Sequence, residues 1–144
     1  MNIENKKIEK ELRVKSTTEN LELIRDFTKS AASHSGFSEE AIDKIALAVD
    51  EACTNIIKHA YKNSPEGDIV INIKVVDKKL IVSITDFGLD FDPTLVPVPD
   101  IKKYYQQHKV GGLGIYLIKK LMDEVKYNPS IGNKNQVVLV KYLN

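Results

Sequence analysis

The chain has 144 residues, a formal net charge of +1 and a hydrophobic fraction of 42%, which predict a single domain over residues 1–144 with one core and no basic face for nucleic acid. Its single cysteine, Cys53, excludes an internal disulfide and fits a reducing compartment. Because residues 1–12 do not resemble a signal peptide and no apolar run approaches the roughly 18 residues of a membrane helix, we expect a soluble cytoplasmic protein without a membrane partner.

The first half of the chain predicts one strand and two helices. Residues 8–15 have the pattern of a short, half-polar edge strand. A first helix follows, with Thr17-Thr18 as its N-cap and Gly36 as its stop signal. Ser38 is expected to cap a second helix. This helix carries an apolar stripe that continues toward Ala60 and consists of Ile42, Ile45, Val49, Ala52 and Ile56.

The middle of the chain predicts a hairpin and then a long connection. Residues 68–76 and 80–85 alternate and are rich in β-branched side chains, so they are interpreted as two strands joined by a turn at 77–79. Residues 93–111 contain three prolines and a polar segment. A connection of this length inside a compact domain is usually functional or disordered.

The last part of the chain predicts a third helix and a second hairpin. The helix is expected to open at the glycines of residues 111–114 and to run through about Glu124. Residues 125–128 and 136–143 are expected to form the closing strands. The order of elements predicts an α+β fold, a two-layer sandwich with a mostly antiparallel sheet and helices on one face.

The second helix also carries polar residues that could perform chemistry. Glu51 and Asn55 are four residues apart and therefore share a helix face. A carboxylate and an amide oxygen there could hold a divalent cation, or a water beside a phosphate, although such a pair is more often a solvated surface. Lys58 is either a phosphate ligand or a surface lysine. We interpret His59 as a packing residue and Cys53 as part of the core.

Two glycine motifs follow the second helix. In Asp86-Phe87-Gly88 the carboxylate can accept a hydrogen bond from an exocyclic amine, and the glycine allows a flat ring to approach the backbone, but a simple turn is the commoner explanation. Gly111-Gly112-Leu113-Gly114 leads into a helix, whose free N–H groups and positive dipole end favour phosphates. It is neither a P-loop nor a Rossmann fingerprint, because G-x-x-x-x-G-K-[ST] and a surrounding βαβ unit are missing.

In order and spacing these motifs resemble the GHKL ATPase superfamily, named for gyrase, Hsp90, histidine kinases and MutL, and within it the small anti-sigma-factor serine kinases. Residues 50–61 resemble the N box, residues 86–93 the first glycine box and residues 111–125 the second, and residues 135–141 also fit. The resemblance covers nearly the whole chain. It implies the Bergerat (GHKL) fold and a Mg-ATP site.

The resemblance also implies a role for each matched residue. Glu51 would act as the general base, and Asn55 would coordinate Mg²⁺ beside the triphosphate. Asp86 would accept the adenine amino hydrogen, with Gly88 under the ring, and residues 93–111 would form a lid. The residues expected to contact the nucleotide are Asn55, Lys58, Asp86, Gly88, Phe91, Gly111, Gly112, Leu113 and Gly114.

Two positions depart from the family pattern. Asp90 stands where relatives often have a second glycine. Residues 133–136 fill a region where many relatives place a Gly-Thr pair before the last strand, so no threonine contact with the nucleotide is expected there.

The activity implied by the resemblance is ATP-dependent phosphorylation of a serine or threonine in a small anti-anti-sigma protein with a STAS domain. A sigma factor and a second copy of the chain, as a homodimer, are further implied partners. The same pocket would also serve a module that binds ATP and switches partners without transferring phosphate. A histidine kinase or a gyrase-type ATPase is disfavoured, because no histidine lies in a phosphoacceptor helix and the chain is too short for a following domain.

Overall fold

The computed structural model describes residues 8–89, 114–128 and 132–143, which form a five-stranded antiparallel sheet and three α-helices. The strands lie in the order β1-β2-β3-β5-β4 and are β1 (Ile8–Lys15), β2 (Asp68–Val76), β3 (Lys79–Asp86), β4 (Glu124–Asn128) and β5 (Asn135–Tyr142). The helices are α1 (Leu21–Ser33), α2 (Glu39–Asn55) and α3 (Gly114–Leu121). A 3₁₀ turn, Thr18–Asn20, precedes α1, and a π-helical turn, Ile56–Ala60, follows α2. The expected α+β arrangement is confirmed.

The core lies between the helices and one face of the sheet. Alternate residues of β2 and β3 are buried, while the residues between them are partly exposed. Burying one such aliphatic side chain stabilises the fold by about 1.5–3 kcal/mol. Helix α2 packs on both α1 and α3 and is therefore the central helix of this layer. The fully buried side chains include Ile24, Ile45, Val49, Ile71, Ile84 and Leu139.

The starts of the first two helices differ in how they are capped. Ser38 caps α2 as expected, because its side chain accepts a hydrogen bond from Ala41 N at 3.1 Å. The predicted cap at Thr17-Thr18 is wrong, since Thr17 makes no side-chain cap bond and α1 begins only after the 3₁₀ turn. Asn20, the residue before α1, instead donates from Nδ2 to Lys15 O at 2.9 Å. Its amide therefore fastens the end of β1.

The third helix ends three residues earlier than predicted. Helix α3 stops at Leu121 rather than near Glu124, and β4 already begins at Glu124. Lys141 Nζ donates to Leu121 O at 2.7 Å, which satisfies a carbonyl at the helix end. Asp123 N donates to Val140 O at 2.9 Å. The backbone groups after Leu121 therefore pair with β5 and are not available for the hydrogen bonds of a longer helix.

The predicted hairpin between β2 and β3 is confirmed with a tight turn at Asp77 and Lys78. Both residues have positive φ, at 51° and 61°, which is the conformation that two-residue hairpin turns of type I′ require. Val76 and Lys79 face each other in register across this turn. Among the residues described, no helix is both long and apolar enough to cross a membrane.

Candidate functional site

The last turn of α2 presents Glu51 and Asn55 beside a buried stripe. Ala52 and Cys53 point into the core, while Glu51 and Asn55 are partly exposed. Burial also raises the pKa of the Cys53 thiol, so this cysteine stays protonated and inert. Asn55 Nδ2 is buried and has no hydrogen-bond partner among the described residues. A buried amide group in this state needs a partner beyond the described residues to offset its desolvation.

The Glu51 carboxyl lies in surroundings that favour its protonated form. Partial burial raises the pKa of Glu51, the negative charge of Asp50 raises it further, and Lys58 offsets part of the rise. Asp50 is held in place by Arg25, with 3.1 Å between Oδ1 and the guanidinium nitrogen. A carboxylate with a raised pKa is a stronger base than an ordinary surface glutamate. It therefore suits the abstraction of a proton.

A π-helical turn carries the chain from Asn55 to the next motif. Tyr61 N donates to Ile56 O at 3.0 Å, which closes the wide turn. Turns of this kind are frequent at functional sites, because they shift the side chains that follow relative to a regular helix. Lys58 and His59 lie on this turn and are exposed. His59 is therefore not buried in the core, and its interpretation as a packing residue stays a prediction.

The turn after β3 is fastened to the end of this π-helical segment. Leu89 N donates to Ala60 O at 2.8 Å. Phe87 N donates to the hydroxyl of Tyr61 at 2.8 Å, and the same hydroxyl donates to Asp68 O at 2.6 Å. The π-helical segment after α2 and the turn after β3 are thus joined by a backbone hydrogen bond and by the Tyr61 hydroxyl, which fixes Asp86 relative to α2.

Gly88 is required by this close contact. A Cβ atom at position 88 would lie 2.5 Å from Ala60 O and 3.0 Å from Ala60 Cβ, and real Cβ atoms do not approach backbone that closely. The sequence suggested that the glycine makes room for a flat ring. The structure gives a different physical reason, the contact with Ala60, and the contact with a ring stays a prediction.

Asp86 ends β3 as a buried carboxylate with an unexpected neighbour. It is 4% exposed, and its Oδ1 accepts from Gly88 N at 3.0 Å and from Asn135 Nδ2 at 3.1 Å. Asn135 is 2% exposed and was missed by the sequence reasoning, which placed it in a segment that fits the family but gave it no role in the site. Its position at the start of a strand gives no local signal. Only the register of β3 against β5, which pairs Asp86 with Asn135, reveals it.

The remaining predicted site residues divide between described and undescribed parts of the chain. Gly114 opens α3, which packs on α2 and so lies on the same side of the sheet as Glu51 and Asn55. The lid at residues 93–111 lies outside the described residues, as do Phe91, Gly111, Gly112 and Leu113. Their contacts with a nucleotide stay predictions.

The described part of the site combines three features that a nucleotide requires. A buried carboxylate at the end of β3 can accept a hydrogen bond from an exocyclic amine. The amide of Asn55, whose Nδ2 is buried and unsatisfied, can bind a phosphate or a cation, and the exposed Lys58 can bind a phosphate. A carboxyl with a raised pKa lies one helical turn before the amide. Together they can bind a nucleotide and accept a proton.

One known protein family matches nearly the whole chain. The family described as "Histidine kinase-like ATPase domain" matches residues 14–141. A serine-protein kinase RsbW from Listeria monocytogenes serovar 1/2a is 35% identical over 139 residues, which is 92% of this chain and 86% of that protein. The serine-protein kinase RsbW of Bacillus subtilis strain 168 is 36% identical over 141 residues, or 93% of this chain and 85% of that protein.

A solved structure has the same fold. The crystal structure of the RsbU and RsbW domains of a Mycobacterium tuberculosis protein matches with a TM-score of 0.66 at 16% sequence identity. The match covers 94% of this chain but only 32% of the solved one, so the chain spans about a third of that longer protein. At this identity the likeness shows the fold alone.

Proposed function

Since the chain belongs to the family of histidine kinase-like ATPase domains, and within it to the serine-protein kinases RsbW, we propose that it transfers the γ-phosphoryl group of ATP to a serine of a small anti-anti-sigma protein with a STAS domain. The observation that carries the proposal is the pairing of Glu51 with Asn55. One offers a carboxyl with a raised pKa, and the other a buried amide atom with no partner in the described chain.

Asn55 fits a site for Mg²⁺ and phosphate. An amide carries both an oxygen that can coordinate a hard cation and an N–H₂ group that can donate to a phosphate oxygen. The buried Nδ2 atom without a partner in the described chain supports this role. Bound Mg²⁺ would neutralise charge on the phosphates, and Lys58 would add a positive charge from the π-helical turn.

Glu51 acts on the substrate hydroxyl in this proposal. Its carboxylate accepts the proton of the incoming serine as the serine oxygen forms a bond to the γ-phosphorus. The bond from that phosphorus to the bridging oxygen breaks, and ADP leaves with the electron pair. Phosphoryl transfer needs positioning and charge stabilisation more than covalent chemistry. A base carried on the rigid helix α2 supplies part of that positioning.

The partners and the location are part of the same proposal. A sigma factor would compete for the chain in the partner switch, the chain would form a homodimer, and both would act in the cytoplasm. No direct contact with nucleic acid is expected, because the charges are balanced at 21 Lys and Arg against 20 Asp and Glu.

Transfer of labelled phosphate tests the proposal against a module that only binds ATP. The chain is incubated with γ-labelled Mg-ATP and a STAS-domain protein from the same genome, and label on that protein is measured with its serines intact or replaced by alanine. Label that depends on one serine is expected. Nucleotide binding that alters partner affinity without any transfer of label would establish the non-catalytic module instead.

A further inference from the structure

Asn135 joins the start of β5 to the turn after β3. Its side chain is buried, and its Nδ2 lies 3.1 Å from Asp86 Oδ1, 3.1 Å from Gly88 O and 3.4 Å from Leu89 O. All three neighbours are acceptor oxygens, so the amide atom that faces them must be the nitrogen. The surroundings therefore settle the orientation of this amide.

These contacts fix the rotation of the Asp86 carboxylate. Its Oδ1 receives two N–H donors, one from Asn135 and one from Gly88 N. With one oxygen held from two directions, the carboxylate cannot turn about its last side-chain bond, and the direction of its second oxygen is set as well. Asn135 also holds the carbonyl of Gly88, so the backbone that donates to Asp86 is itself kept in place.

We propose that Asn135 is the positioning residue that gives the site its selectivity for the 6-amino group of adenine, an inference that rests on the proposed function. A carboxylate only accepts hydrogen bonds, so it attracts an exocyclic amine and repels a keto oxygen at the same position. A fixed carboxylate keeps this distinction, because it cannot rotate away from the wrong group. A site built to bond one polar group rejects analogues that lack it by a large factor.

A purely structural role for Asn135 would have a different signature. If the amide only joins β5 to the turn, its loss would weaken binding of every nucleotide by a similar factor, or would lower stability alone. A positioning role instead changes the ratio between a 6-amino purine and its 6-keto counterpart. The ratio of two affinities in one variant is therefore the informative quantity.

The experiment compares Mg-ATP with Mg-inosine triphosphate on the full chain by calorimetry. The variants are Asn135→Ala, Asn135→Leu, which keeps the branched shape and the number of side-chain heavy atoms but lacks a donor, and the control Gln136→Ala. Gln136 is the next residue of β5, and its amide faces Thr85 Oγ1 at 3.4 Å rather than Asp86. Wild type should prefer ATP. Both Asn135 variants should lose roughly tenfold or more of that preference, the equivalent of one charged hydrogen bond, while Gln136→Ala should keep it.

Each outcome decides the matter. An unchanged preference in a folded Asn135 variant, or equal weakening for both nucleotides, would overturn the positioning role and leave a structural tie. If Asn135→Ala does not fold, the Asn135→Leu variant gives the same comparison. Wild type that binds neither triphosphate would refute the proposed function itself. Wild type that binds ATP, with a ratio that no Asn135 variant changes, would refute only this inference.

Discussion

At the residue scale, Glu51 is the position where binding and chemistry can be separated. Its carboxyl lies one helical turn before Asn55, and glutamine would keep its size and helix propensity while removing its basicity. Glu51→Gln should therefore keep near-normal ATP affinity and lose phosphotransfer by about 10²- to 10⁴-fold, the usual contribution of a general base. Nucleotide affinity and labelling of the partner are measured on the same variant. Retained phosphotransfer would contradict the assignment, and collapsed ATP binding would make Glu51 a ligand for metal or water.

The surroundings of Glu51 predict a pH dependence with a definite sign. Only the deprotonated carboxyl can accept a proton, so the rate should fall as pH drops through the raised pKa of Glu51. Burial is the largest cause of the rise and the charge of Asp50 the second. Asp50→Asn removes that charge and should move the acidic limb of the phosphotransfer profile to lower pH. Glu39→Gln, which changes an exposed carboxyl at the far end of α2, is the control and should leave the limb in place.

The same shift has a consequence for stability. A carboxyl whose pKa is raised in the folded state contributes stability that is fully present at pH values below its pKa in the unfolded chain. This contribution is lost as pH rises through its pKa in the folded state. Once ionised, Glu51 is thus a partly buried charge that the fold tolerates. Such a cost is common where function, rather than stability, selects the residue.

At the scale of elements, Tyr61 is the side chain that ties the π-helical turn to β2 and to the turn after β3. Its hydroxyl both accepts from Phe87 N and donates to Asp68 O. Tyr61→Phe leaves these two groups without that partner and should lower the free energy of unfolding by about 1–3 kcal/mol. Urea denaturation measures the change. The control Tyr142→Phe removes an exposed hydroxyl bonded to Glu124 and should change the free energy of unfolding by less than about 0.5 kcal/mol. An equal loss of stability in both variants would contradict the role given to the Tyr61 hydroxyl.

The elements also show what a sequence can and cannot reveal. The alternation that buries Ile69, Ile71 and Ile73 is a local pattern, and it predicted β2 and its hairpin correctly. The end of α3 was missed because the competing interactions, Lys141 on Leu121 O and β5 on β4, come from residues distant in sequence. Asn135 was missed for the same reason. The sequence therefore indicated the candidate residues that lie in local motifs, and it did not indicate Asn135, whose contact depends on strand register.

At the scale of the whole molecule, the segment at residues 93–111 is predicted from its sequence to be a lid over the nucleotide. Lids of this kind close on substrate and exclude water. Limited proteolysis should cut first within this segment in the absence of nucleotide, and saturating Mg-ATP should protect it. The loop at residues 63–66, which is exposed, serves as an internal control whose cleavage should not change. Equal cleavage with and without Mg-ATP would exclude a lid.

Binding of Mg-ATP should also stabilise the entire fold, because the ligand binds the native state and not the unfolded chain. At about 100 times its dissociation constant it should add about 2.7 kcal/mol, and a chain of this size should melt roughly 10 °C higher. Asn55→Ala should remove most of the extra stabilisation that Mg²⁺ gives over ATP alone. Without ligand this variant should melt close to wild type, since the Nδ2 atom it deletes bonds to nothing in the described chain. A melting temperature that Mg-ATP leaves unmoved in wild type would contradict the nucleotide site. If Asn55→Ala keeps the extra stabilisation that Mg²⁺ gives over ATP alone, the metal is coordinated by other residues.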